Sequence, residues 1–163
     1  MFLDIGVGIL LSILIHFLFA VEVSPAFLFF GIALTLFPDI DFFIEYIKHG
    51  SVGGKFIREH RELLHFPLAY IPAIGIIFLI WGNMWATFAG LAFFSHFLHD
   101  SIGIGWGIKW LWPFSKKSYK FFSDKNGNFS SQILVSWNPS ELQQTVTAHG
   151  DPHWIRNIYF KPS

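Results

Sequence analysis

Apolar residues fall in four blocks separated by short polar breaks. The first covers residues 5–21 and is interrupted only by Ser12 and His16. Glu22 and the Ser24-Pro25 pair form a turn, and a second block runs from Ala26 to Phe37 and stops at Pro38. Residues 39–65 are polar, with Gly50, Gly53 and Gly54 marking a loop. A third block begins near Pro67, a favoured first helical position, and lasts to Trp81. Gly82-Asn83 is a tight turn, and a fourth block runs from Met84 to about His99. The pattern predicts four helices in two tight hairpins. A full crossing takes about 20 apolar residues, so the second helix is short for its task.

Beyond residue 100 the pattern changes. Trp106, Trp110, Trp112 and Phe114 are followed by Lys116, Lys117 and Lys120, a sequence suited to anchoring in the headgroup layer. Asn126-Gly127 between Tyr119–Phe122 and Phe129–Val135 predicts a small hairpin. Asn138-Pro139-Ser140-Glu141 reads as an N-cap, a Pro at N1 and a capping-box Glu, opening a short helix that stops at Gly150. Trp154, Ile155, Ile158 and Tyr159 form an apolar stripe at helical spacing. The expected fold is all-α: a membrane domain of about four transmembrane helices over residues 1–118, then a cytoplasmic extension over 119–163.

Composition supports a membrane protein. Of the 163 residues, 53% are hydrophobic and 13% charged, about half the charged share of a soluble domain at ~25%. Every Lys and Arg lies in the 39–65 loop or after the fourth block, and none lies in the two tight turns. The positive-inside rule then makes that side cytoplasmic, with both termini inside. The first segment lacks the n-region and cleavage site of a signal peptide, so it is expected to be retained. With no Cys, any metal must be held by His and carboxylates.

Those groups cluster at the cytoplasmic ends of the helices. His96 and Asp100 are four apart, hence on one helical face and able to grip one ion. Asp39 and Asp41 follow the second block, where in an extended or turn segment they would point the same way and could share a cation. His60 and His65 precede the third block and converge only if the chain bends between them. His16 lies inside the first helix, nearer the far turn. Neutral His with Asp suits zinc or manganese with an open position for water.

The Pro38–Asp41 stretch, His60-Arg61 with His65, the His96/Asp100 pair and the Trp112–Ser115 run resemble the YdjM-like family over roughly residues 10–118. These small inner-membrane proteins are described as membrane-bound metal-dependent hydrolases, distantly related to zinc-dependent phospholipases C and single-strand-specific zinc nucleases. The resemblance implies His16, Asp39, Asp41, His60, His65, His96 and Asp100 as metal ligands or their supports. Two features depart from the family pattern. Leu64 and Phe66 stand where it usually has Thr and Ser around the matched His, and His99 is additional beside an unusually Gly-rich tract.

The expected function is hydrolysis of a phosphoester, such as a phospholipid headgroup, by water activated on a divalent metal. Arg61 is the candidate phosphate binder; Glu62 and His99 are candidates for proton transfer. Membrane lipids are the expected partners, and no broad basic stripe points to nucleic acid. The alternative is a non-catalytic membrane scaffold or partner-binding protein whose metal is structural and fully coordinated by protein.

Overall fold

The structure, a computed structural model, describes residues 2–49, 64–103 and 105–151. It is mostly helical with one two-stranded sheet, which corrects the all-α expectation. Helices α1 (Phe2–Phe19) and α2 (Pro25–Leu36) are followed by a 3-10 turn, Phe37–Asp39, that leads directly into α3 (Ile40–His49). After a second 3-10 turn, Pro67–Ala69, come α4 (Tyr70–Trp81) and α5 (Asn83–Ile102). Strands β1 (Ser118–Ser123) and β2 (Phe129–Trp137) and helix α6 (Pro139–His149) complete the order. Phe2–Phe19 and Pro25–Lys48 are long and apolar enough to cross a membrane, and Pro67–Trp81 is apolar but shorter.

The chain divides into two compact units, the first made of Met1–Asp39 with Pro67–His99. Its helices start where the sequence signals them. Ser24 Oγ accepts the Phe27 N–H ahead of Pro25 at N1, and Gly82, with φ of 84°, divides α4 from α5. The contact between α1 and α2 is nearly backbone to backbone. A Cβ on Gly8 would lie 2.7 Å from the Ile32 Cα, and one on Gly31 would lie 2.6 Å from the Gly8 carbonyl oxygen. Close approach of this kind is how helices pack when the surrounding solvent offers no hydrophobic drive. Ser12 donates to the Gly8 carbonyl at 2.8 Å and Thr35 to the Asp4 carbonyl at 2.9 Å, both buried. Phe88 is fully buried against Phe27 and Phe30, while Tyr70 packs edge-on to Phe93 and Phe97. These contacts hold the start of α1, the end of α2 and the last turns of α5 in place.

The second unit comprises Ile40–Phe66 and Asp100–Ser163. Strands β1 and β2 pair antiparallel from Ser118↔Trp137 to Ser123↔Phe129, as the Asn126-Gly127 turn predicts. Asp124 Oδ1 accepts the N–H groups of Asn126 and Asn128, both at 2.9 Å, the side-chain turn that Asp favours. Gly127, with φ of 87°, leaves no room for a Cβ because the Trp106 ring lies against it. The core is Trp106, Val135, Trp137, Leu142 and Val146. Trp137 Nε1 donates to the Lys125 carbonyl at 3.0 Å, and the capping box closes with Asn138 N–H on Glu141 Oε2 at 2.8 Å.

Two members of the expected headgroup belt are instead interior. Trp106 belongs to this core, and buried Lys120 donates to the carbonyls of Gly105 at 2.7 Å and Gly127 at 3.2 Å. Trp110, half-buried, donates to Ser101 Oγ at 2.7 Å. The Gly50–Gly54 loop and the Trp154–Tyr159 stripe lie outside the described residues.

Candidate metal centre

Each unit carries one imidazole between two carboxylates. In the first, His96 is buried near the end of α5, with Nδ1 3.1 Å from Asp4 Oδ1 and Nε2 3.6 Å from Asp39 Oδ1. Asp4 also lies 3.4 Å from His99 Nδ1, whose ring is partly open to solvent. In the second, His65 is fully buried, with Nδ1 2.9 Å from Asp41 Oδ2 and Nε2 3.0 Å from Asp100 Oδ2. Asp41 Oδ2 also accepts the Leu64 N–H at 3.3 Å.

This arrangement needs a proton or a metal ion to hold it together. A neutral imidazole donates from one nitrogen and presents a lone pair at the other, which a carboxylate oxygen repels. A second ring proton, a proton on the carboxyl or a metal ion resolves the clash. The distances suit a metal: ligand bonds of about 2.0–2.2 Å, opened at roughly 90–120°, separate N and O by about 3.0–3.6 Å. The carboxylates on the Nδ1 side do what carboxylates behind metal-binding histidines do, fixing the tautomer and the ring orientation. In the first unit His96 and Asp39 present ligand atoms that a metal ion could take, and in the second His65 and Asp100 do.

The sequence expectations meet this geometry unevenly. His96 and Asp100 do stand one turn apart on α5, yet His96 faces Asp4 and Asp39 whereas Asp100 faces His65. Asp39 ends a 3-10 turn and Asp41 lies in the first turn of α3, and the two carboxylates meet different imidazoles. His16 is not brought to either cluster. It sits twelve residues beyond Asp4 on α1, roughly 18 Å at ~1.5 Å per residue, and its Nδ1 donates to the Val21 carbonyl at 2.5 Å. His60, Arg61 and Glu62 lie outside the described residues. Asp4 is a site residue that the sequence reading missed.

The match to the description "YdjM inner membrane protein" spans residues 4–151. The chain belongs to this family. Over 137 residues it is 30% identical to the inner membrane protein YbcI of Escherichia coli (strain K12), covering 78% of this chain and 72% of that one. No solved structure matches. Membership in the YdjM family carries an inner-membrane location, and its name states no reaction. The match includes Asp4 and extends through the hairpin and α6, well beyond the stretch that carries the motifs.

Proposed function

We propose that the chain is a multi-pass inner-membrane hydrolase of phosphoesters, with a divalent metal at the His96–Asp39 pair of the first unit and at the His65 imidazole of the second. The observation that carries this is the pair of buried imidazoles, each with both nitrogens against carboxylate oxygens. A divalent ion there, zinc or manganese, supplies Lewis acidity that brings the pKa of water to about 7. Asp4 and Asp41 orient the two rings, and Asp100 offers a further ligand atom. His99, partly open to solvent and paired with Asp4, holds or releases a proton at Nδ1. Arg61 binds a phosphate oxygen and Glu62 assists proton transfer.

The four apolar blocks and the one-sided Lys and Arg support four crossings with termini and site at the cytoplasmic face. That places the chemistry at the lipid–water boundary and favours an amphiphilic substrate such as a phospholipid headgroup. The motif resemblance supports kinship with zinc-dependent phospholipases C and nucleases.

The test is elemental mass spectrometry of detergent-purified protein beside His65→Ala and His96→Ala variants, paired with phosphodiester and phospholipid turnover. Stoichiometric metal lost in both variants, with turnover lost alongside, is the expected result. Metal retained without turnover by any phosphoester would assign the ion a structural role. Wild type that stays empty after loading, with imidazolium signals for both rings by NMR, would replace the metal with protons and overturn the reading.

A further inference from the structure

The segment Leu111–Lys117 has a surface that water does not suit. Leu111, Trp112 and Phe114 are exposed, Phe114 by 88%, and exposed Lys116 and Lys117 follow directly. Part of its backbone is hydrogen-bonded locally. The Trp112 N–H donates to the Lys109 carbonyl at 3.2 Å, Ser115 N–H to the Leu111 carbonyl at 2.9 Å, and Lys117 N–H to Ser115 Oγ at 3.2 Å. The turn is also held from behind: Trp112 stacks on Phe66 at 4.6 Å, and Lys109 Nζ lies 5.9 Å from the same ring. Residues 101–123 contain four lysines and no acidic residue.

We propose that Leu111–Lys117 is a lipid-inserting turn that docks the second unit on an anionic bilayer surface. An exposed aromatic with adjacent lysines matches the two layers of such a surface. The ring enters the acyl boundary while the ammonium groups meet lipid phosphates, at about 1 kcal/mol per basic residue. The local hydrogen bonds lower the cost of taking this backbone out of water, and insertion to the headgroup boundary leaves its other polar groups hydrated. Among the other exposed apolar side chains of the unit, Phe129, Ile133 and Leu134 on β2 have no basic residue between Phe129 and Ser140, so they lack the electrostatic half of this match. Trp106 and Lys120, which sequence alone groups with the anchor, are committed to the core. The anchor is therefore a seven-residue turn and not the whole aromatic tract. The inference does not depend on the metal site.

The chain has no native Cys, so single-site labelling needs no background removal. Full-length protein is reconstituted in vesicles of phosphatidylcholine alone or with 30–40% (about that fraction) phosphatidylglycerol, with a spin label at Phe114→Cys or at exposed Gln144→Cys. In anionic vesicles the position-114 label is expected to collide preferentially with oxygen over a water-soluble nickel chelate, by at least about threefold relative to position 144. Lys116→Glu with Lys117→Glu is expected to abolish that preference. Equal nickel accessibility at the two positions would overturn the proposal. Insertion of the same depth in phosphatidylcholine alone would overturn its requirement for anionic lipid.

Discussion

Helices α1 and α2 of the first unit bury mainly small and polar residues, whereas the hairpin and α6 of the second bury an apolar core. On α1 the buried positions are Asp4, Gly8, Ser12 and Ile15, while Phe2, Leu10, Phe17 and Leu18 are exposed. On α2 only Gly31 and Thr35 are buried. In the second unit the interior is Trp106, Val135, Trp137, Leu142 and Val146, and Asn126, Asn128 and Glu141 face outward. On the proposed topology these two helices face lipid tails, which reward burial of an apolar side chain no more than a protein interior does, so small residues and hydrogen bonds supply the specificity of their contact. The second unit needs water on much of its surface to hold together, because its stability comes from removing apolar area from that water.

The largest effect that would separate the two modes is Trp137→Ala. Loss of a fully buried indole costs about 3–5 kcal/mol, expected as faster hydrogen exchange across residues 118–149 in the full chain, with α1 and α2 unchanged. Spread of that change into α1 would mean that the two modes are not independent.

Gly31→Val is the reciprocal experiment. The added side chain would meet the Gly8 carbonyl and the Phe88 ring, an overpacking expected to cost about 1–3 kcal/mol. Exchange should then rise in α1 and α2 while the hairpin stays protected. A silent Gly31→Val would show that this helix contact is not tight.

Asp4→Ala probes the polar interior itself. Loss of the carboxylate behind His96 is expected to weaken metal binding about 10–100-fold, measured by competition with a chelating dye. Asp4→Asn should recover part of this, since its amide oxygen still accepts from Nδ1–H. Equal losses in both variants would require the negative charge.

The smallest effect belongs to the surface of the second unit. The Asn138 N–H, and then Lys125, hold the Glu141 carboxyl below its ordinary range. A depressed folded pKa stabilises above the unfolded value of about 4.3, and the contribution is lost as pH falls from there through the folded pKa. Fraying of the first turn of α6 should therefore begin below about pH 4.3 in wild type. In Glu141→Gln it should not depend on pH over that range, as read by backbone amide shifts.

The comparison also explains what sequence could reveal. Turns were legible because their signals are local: Gly82-Asn83, Asn126-Gly127 and Asn138-Pro139-Ser140-Glu141 each prescribe a backbone shape. His65, His96, Asp39, Asp41 and Asp100 stood out because charge is rare in this chain. Asp4 did not, since an acidic residue in a helix's first turn is ordinarily welcomed by the dipole. A helix apolar on all sides also gives no periodicity to mark which face is interior. Pro38 suggested a helix end with Asp39–Asp41 extended or in a turn, and a 3-10 turn there leads straight on into α3. Trp106 and Lys120 looked interfacial because their partners, Trp137 and the carbonyls of Gly105 and Gly127, are chosen by packing that no spacing rule encodes. His16 matched by motif order alone, and helix length puts it at the wrong end of α1.

The bond between Asp4 and His96 spans 92 positions of the chain. At translation rates of ~5–20 residues per second, roughly 5–18 s pass between the synthesis of the two. On the proposed topology α1 enters the bilayer during that interval, carrying an acid whose histidine does not yet exist. Insertion of this protein is thus a problem of timing as well as of hydrophobicity. Moving Asp4 a turn deeper into α1 would burden biogenesis before it touched the finished site.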